Sequence, residues 1–387
     1  MTRTAYLFPE LDKQPVAFTT GILPSQILRQ LVEHGNIAAD GPIEPEQFQP
    51  ASIDLRLGPV AYRVRASFLS SAGSTVARKL EDQKLHEIDL SHPAVLEKGC
   101  VYIVPLKESL NLPPQISGKA NPKSSTGRLD IFTRLITDYG RQFEFVPAGY
   151  KGPLFAEIVP RTFSILVRQG ARLNQLRLTR GTPLPSDTQL TELDERETLI
   201  YLADESPGEA TISNKGLHLS VDLAGSDESS VIGYRAKKHA SLIDLERIDY
   251  YDPLEYWEPI HRTRSRDLIL DPEEFYILAS KEKVRIPSSF AAEMVPYDPS
   301  VGEFRIHYAG FFDPGFGYGA DDVKGTRAVL EVRSHEVPFL LEDGQEVGSL
   351  VFERLMAVPD KLYGRGIGSN YQQQGLALSK QFRRTNS

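Results

Sequence analysis

An internal repeat limits what this chain can fold into more than any other feature. Residues 101–113 read VYIVPLKESLNLP and residues 275–287 read FYILASKEKVRIP. Tyr102 and Tyr276, Ile103 and Ile277, Lys107 and Lys281, Glu108 and Glu282, and Pro113 and Pro287 coincide at one offset of 174 residues. The same offset pairs Glu157 in LFAEIVP with Glu331 in AVLEVRS, each a lone acid inside an apolar, strand-like run. Ser52-Ile53-Asp54-Leu55 and Ser220-Val221-Asp222-Leu223 match at 168, a difference that loop insertions and deletions explain. An ordered set of matches marks a tandem duplication. It predicts a first domain over 1–180, a linker over 181–209 rich in Pro, Ser, Thr and acids with room for one strand, and a second domain over 210–387.

Within each half the local pattern favours strands. VYIVPL, FSILVRQ, FYILAS and AVLEVRS are short, rich in β-branched and aromatic residues, and bounded by Gly, Pro, Asn or Asp. The best helix candidate is SQILRQLVEHG, residues 25–35, with Ser25 as N-cap and Gly35 as a stop; a shorter one covers YDPLEYWEPI. Each half therefore reads as a compact β-barrel or sandwich with minor helical decoration. Charged residues at 25% and hydrophobic residues at 40% are ordinary for a folded protein. A net charge of −8 argues against a protein that coats nucleic acid polymers or anionic membrane. The single cysteine, Cys100, excludes a disulfide framework and a cysteine-paired zinc site, and fits a reducing compartment. The opening residues lack the apolar core of a signal peptide, and no apolar run approaches about 18 residues, so the expected location is cytoplasmic.

Three constellations carry chemistry. Lys123-Ser124-Ser125-Thr126-Gly127-Arg128 gathers hydroxyls, a glycine and two cations, which suits a phosphate or sugar-phosphate and equally describes a polar capped turn. Val146-Pro147-Ala148-Gly149-Tyr150-Lys151-Gly152 leads to Glu157, and Ala309-Gly310-Phe311-Phe312-Asp313-Pro314-Gly315-Phe316 leads to Glu331. A glutamate in such a return strand either faces solvent or sits in a cleft, where burial raises its pKa toward the range of a general base. The C-terminal Gly368-Ser369-Asn370-Tyr371-Gln372-Gln373-Gln374-Gly375 is either a polar terminus or a segment that closes over a ligand. His218, His239 and His307 share no metal-ligand spacing, and Trp257 and the basic run Arg235–Lys238 suggest no role beyond structure and added positive charge.

In this order the motifs resemble the dCTP deaminase branch of the dUTPase-like superfamily, in a tandem form. The family elements are S-x-D-L-R-L-G, present as Ser52 to Gly58, an L-P step followed by R-S-S-x-x-R, an A-G-x-I-D-x-G hairpin, a G-x-x-L-E return strand, and a Y-x-x-Q-x-G tail. The resemblance implies two tandem dUTPase-like (β-clip) distorted β-barrels. It implies hydrolysis of dCTP to dUTP and ammonia, with a glutamate activating water for attack at cytosine C4. It further implies no zinc, Mg²⁺ entering with the nucleotide triphosphate, no polymer or membrane partner, and a homo-oligomer with sites shared between domains. The missing H-x-E and P-C-x-x-C signatures agree with a zinc-free route.

The two halves depart from the family pattern in complementary places. The first keeps the loop, with Lys123 for the usual arginine, but Pro147 stands where the hairpin should have aspartate. The second lacks Ser-Ser-x-x-Arg after Ile286-Pro287 but keeps AGFFDPGF and Glu331. The expected site is thus composite, built within one chain or across chains. Ser124 and Arg128 from a first half would work with Glu331 from a second as catalytic residues, with Glu157 the competing acid. Lys123, Ser125, Ala309, Asp313, Tyr371, Gln373 and Gln374 would bind substrate, and Asn370 replaces the family's tail lysine. The alternatives are a dUTP diphosphatase, a bifunctional deaminase and diphosphatase, and a non-catalytic nucleotide-binding regulator.

Overall fold

The computed structural model describes residues 18–183, 186–226, 229–296, 304–306, 310–318, 324–334, 336–364 and 375–384. The protein is mainly β with a few short helices, the longest being Asp187–Glu197. Helix Ser25–Glu33 forms where its apolar spacing predicts, burying Ile27, Leu28 and Leu31, and Gly35 ends it at φ +72°. Pro24, with extended backbone, rather than Ser25 occupies its N-cap, and the Ser25 hydroxyl is bonded to Asp360. Helix Pro253–Tyr256 is capped by the Asp252 side chain, and the chain turns directly into strand Trp257–His261. The segment expected to be linker holds helix Asp187–Glu197 as well as strand Ile200–Tyr201. Its signal was the Ser186-x-x-Gln189 capping box, in which each side chain bonds the other's backbone.

The repeat is visible in the strand register. In the first half, strand Lys151–Pro160 lies between Val101–Asn111 and Ile131–Thr137, with Glu157 opposite Ile103. In the second, Thr326–Ser334 lies between Tyr276–Val284 and Phe304–Ile306, with Glu331 opposite Ile277. The identical offset at 103/277 and 157/331 places the two glutamates in equivalent positions of equivalent sheets. Glu108 accepts from the backbone of Arg56 and Glu282 from that of Ser220, so each repeat glutamate ties down its half's Ser-x-Asp-Leu strand.

Two tandem dUTPase-like, β-clip barrels are not what the strands build. The described strands divide into five discrete sheets of three to six strands and one two-stranded ribbon, with no barrel closure. One six-stranded sheet ends at Lys84–Asp89, an almost wholly exposed, charged edge that has no partner on its outer side among the described residues. Charges on an edge discourage the further pairing that closure needs. A three-stranded sheet also joins the halves, with Ile165–Val167 paired antiparallel to Ala94–Leu96 and parallel to Ile243–Asp244.

The core crosses the same seam. The largest apolar cluster runs from Leu23 and Ile53 in the first half through Phe163 and Ile165 to Trp257, Phe275, Ile277 and Phe382. Trp257 is fully buried, with edge-on ring contacts to Phe163 at 5.6 Å and Phe382 at 6.0 Å. Polar contacts register the halves: Lys119 and Glu293, equivalent by the repeat offset, meet at 2.6 Å, and Arg333 pairs with Asp130 in a site closed to solvent. Phe163→Ala should cost roughly 3–5 kcal/mol, the range for emptying an aromatic site. The chain's one tryptophan, Trp257, remains in that variant as the fluorescence reporter of urea unfolding.

Candidate active site

The Ser-Ser loop folds as a single helical turn, Ser124–Gly127, directly after strand Ile116–Pro122. Lys123 is its N-cap residue, and its ammonium is paired with Asp54, the buried acid of the first Ser-x-Asp-Leu strand. The turn delivers Arg128 into the seam, where Nη1 donates to the carbonyl of Ala377 at 3.1 Å and Nε stands 4.0 Å from Glu331 Oε1.

The second half supplies the other wall. Strand Phe311–Phe312 runs into a turn in which Phe316 N donates to Asp313 O at 3.0 Å. Gly317 sits at φ +76° with its Cα against strand Tyr276–Val284; a Cβ there would lie 2.0 Å from Val284 O, so no other residue fits. Tyr363 N donates to Pro314 O at 2.8 Å and its ring packs on Phe316, bracing the turn. The result is one cavity lined by Pro122, Lys123, Ser124 and Arg128 from the first half and by Phe311, Asp313, Arg327, Glu331 and Tyr363 from the second.

Two acids in that cavity are displaced from ordinary behaviour. Burial pushes Glu331 up to about 7, with Arg128 the main influence in the opposite direction. Burial likewise pushes Asp313 up to about 6, opposed first by Arg177. Both are carboxylates poised near neutrality beside cations, the condition in which a group can take up and return a proton at physiological pH.

Of the residues singled out in the sequence, Lys123, Ser124, Arg128, Asp313 and Glu331 come together within one chain. Ser125 adjoins them but its carbonyl is taken by the Ser379 hydroxyl at 2.7 Å. Glu157 does not line the cavity. It is fully buried in the first half and held by Arg134 at 2.5 and 3.0 Å, and Arg134 itself stacks on Phe143. Ala309, Tyr371, Gln373 and Gln374, with His307 and Asn370, lie outside the described residues. His218 is bonded to Ser213 and Glu346, and Arg235 and Lys238 form surface ion pairs with Glu258 and Glu274.

Two functional-looking cations escaped the sequence reading. Arg327 lines the cavity and is paired with Asp222, the buried acid of the second Ser-x-Asp-Leu strand. The same motif acid thus pins a cavity cation in each half, Lys123 through Asp54 and Arg327 through Asp222. Arg177 is the other. Both sit at alternating polar positions of strands, a pattern that reads as solvent-facing, and only the repeat of the Ser-x-Asp-Leu acid hinted at a cationic partner.

An enclosed carboxylate raised toward neutral pH, a neighbouring guanidinium and surrounding cations suit a hydrolase that transfers protons on an anionic substrate. The 2'-deoxycytidine 5'-triphosphate deaminase C-terminal domain matches residues 186–382, and the N-terminal domain of the same family matches 19–182. The chain belongs to that family, a class of deaminating hydrolases. A crystal structure of 2'-deoxycytidine 5'-triphosphate deaminase from Agrobacterium tumefaciens superimposes with a TM-score of 0.82 at 52% identity, covering 89% of this chain and 100% of that one. The dCTP deaminase of Natronomonas pharaonis is 28% identical over 162 residues, 41% of this chain and 80% of that protein. The "dCTP deaminase, dUMP-forming" of Thermobifida fusca is 28% identical over 156 residues, 40% of this chain and 76% of that protein.

The tuned acid carries a stability cost with a definite sign. A carboxyl raised from 4.5 to about 7 on folding binds its proton more tightly in the native state, so stability falls as pH rises between those values. Glu331→Gln should therefore unfold at a higher temperature than the wild type at pH 8, by on the order of 2 kcal/mol, and the gap should close by about pH 4.5. Glu157→Gln should do the reverse, costing about 1–3 kcal/mol through the loss of Arg134's charge partner while ammonia release from dCTP persists. Loss of turnover in Glu157→Gln with normal turnover in Glu331→Gln would exclude the composite site.

Proposed function

We propose that the chain deaminates dCTP to dUTP and ammonia in the cavity between its halves, with Glu331 as the proton-transferring acid. The observation that carries this reading is the placement of Glu331, raised to about 7, 4.0 Å from an arginine of the other half. Ionised Glu331 takes a proton from water as the oxygen adds to C4 of the cytosine. The protonated carboxyl then returns that proton to the departing amino group, and as the C4 carbonyl forms the remaining hydroxyl proton ends on N3, so that dCTP and water become dUTP and ammonia. A carboxyl with a pKa near 7 is half in each form at neutral pH, which serves both steps.

Ser124 and Arg128 orient water and oppose the charge that develops at the tetrahedral centre, a type of contribution that rests on fixed geometry in a water-poor site. Asp313 accepts a hydrogen bond from the nucleotide, and Lys123, Arg327 and the segment around Tyr371–Gln374 draw in the triphosphate. Mg²⁺ belongs to the substrate here, arriving as the counter-ion of the triphosphate. Because the loop and hairpin that line the cavity come from one chain, a homo-oligomer would gather complete sites rather than complete them. Among the described residues no helix is long and apolar enough to cross a membrane.

Release of ammonia with dUTP should follow addition of dCTP, and Glu331→Gln should lower kcat by about 10²–10⁴-fold, the usual share of positioned acid–base catalysis. The names of the dUMP-forming relatives favour assaying pyrophosphate and dUMP alongside. The acidic limb of kcat/KM should fall through pH about 7 as Glu331 takes up its proton, and steepen below about 6 as Asp313 follows. A profile flat from pH 5 to 8 would remove Glu331 from the base role.

A further inference from the structure

Behind the hairpin of the second half lies a buried arginine of the first. Arg177 is 1% exposed on strand Arg172–Arg180. Alternation along the strand turns Leu176 and Leu178 into the first-half core and Arg177 onto the opposite face, toward the second half. Its guanidinium lies 3.9 Å from the centre of the Phe311 ring, and Nη1 donates to Ala292 O at 3.2 Å. Nη2 stands 3.5 Å from Phe312 O and 3.8 Å from Asp313 Oδ1, while Nη1 is 3.6 Å from Glu353 Oε2. Asp313 Oδ1 is buried and makes no hydrogen bond to the described residues, and among them Arg177 is the cation within 4.0 Å of it.

Burying an arginine is expensive, and an apolar side chain of similar volume would fill a seam at lower cost. Besides Ala292 O and Glu353, its contacts fall on three consecutive hairpin residues, Phe311, Phe312 and Asp313. We infer that Arg177 is a positioning residue of the deaminase site, fixing the hairpin and holding the Asp313 carboxylate toward the nucleotide without touching substrate itself. The inference rests on the reading of the cavity given above. The charged groups facing Asp313 are Arg177 behind it, Asp54 and Lys123 from the first half, and Lys361 from the segment after strand Glu346–Arg354. Glu353 competes for the same guanidinium. Of these groups Arg177 acts most strongly to keep Asp313 ionised, so its removal moves Asp313 protonation to higher pH.

The test compares Arg177→Met with Arg177→Lys in the full chain. In a Glu331→Gln background, where slowed turnover leaves time to measure binding, Arg177→Met should weaken dCTP affinity by at least about tenfold, whereas Arg177→Lys, which keeps the charge, should weaken it less than about threefold. With Glu331 intact, Arg177→Met should move the acidic limb of kcat/KM upward by about half to one pH unit, and in an Asp313→Asn background it should add no further shift. A cooperatively folded Arg177→Met with unchanged affinity and an unmoved limb overturns the inference. Should that variant not fold, Glu353→Gln decides: leaving Arg177 to Asp313 alone should move the limb downward, and an unmoved limb counts against the proposal. Absence of ammonia release by the wild type would instead sink the reading of the cavity, and the affinity comparison would still test Arg177.

Discussion

Two crossed ion pairs, two residues apart on each side, set the geometry on which the site depends. Asp130 follows Arg128 by two positions, and Arg333 follows Glu331 by two. Arg333 pairs with Asp130, with Thr162 bonded to both, in a site with almost no solvent contact. On strand Thr326–Ser334 the residues two apart share a face, so docking Arg333 on Asp130 brings Glu331 opposite Arg128. Such a buried pair adds little net stability over apolar packing, because desolvation consumes most of the attraction. Its effect is registry. The aromatic cluster around Trp257 holds the halves together, and the Asp130–Arg333 pair decides which residues face each other across the join.

The duplicated glutamates show how one backbone position yields two kinds of acid. Glu157 and Glu331 occupy equivalent registers, opposite Ile103 and Ile277. Arg134 grips Glu157 Oε1 from the neighbouring strand at 2.5 Å, giving its charge a close local partner. Among the described residues Glu331 meets a guanidinium at 4.0 Å, contributed by the other half, and burial is the dominant influence on it. A tight local pair ties one carboxylate into its sheet; a looser one in a desolvated cleft leaves the other raised to about 7.

Much of this was legible in the sequence because the repeat is a statement about register. Matching Ile103 with Ile277 and Glu157 with Glu331 located the equivalent strands, and the complementary loss at Pro147 and after Pro287 pointed to Lys123, Ser124, Arg128, Asp313 and Glu331 as one group. Sheet closure was not legible, because strand patterns specify faces but leave unstated whether an edge such as Lys84–Asp89 finds a partner. The helix Asp187–Glu197 was hidden by its polarity: it buries only Leu190 and Leu193, so its capping box was the sole clear signal. Arg177, Arg327 and Arg333 were missed for one physical reason. On an alternating strand a charged residue reads as solvent-facing, and only the presence of a second layer turns that face into an interior.

That second layer also accounts for the complementary decay of the motifs. When a loop and a hairpin from sister halves meet within one chain, the other loop and hairpin are left off the cavity they line. Those positions then answer to packing. Pro147 sits in a first-half turn whose Tyr150 hydroxyl donates to Pro153 O and accepts from Asp138 N, a self-contained structural device. On the retained side the demands are opposite: Lys123 keeps its buried anchor Asp54, Arg327 keeps Asp222, and Asp313 keeps Arg177 behind it. Each charged cavity group is thus backed by a buried partner of opposite sign, which holds it oriented before substrate arrives. That preorganisation separates this cavity from the equivalent region of the first half, where the glutamate has been absorbed into the sheet.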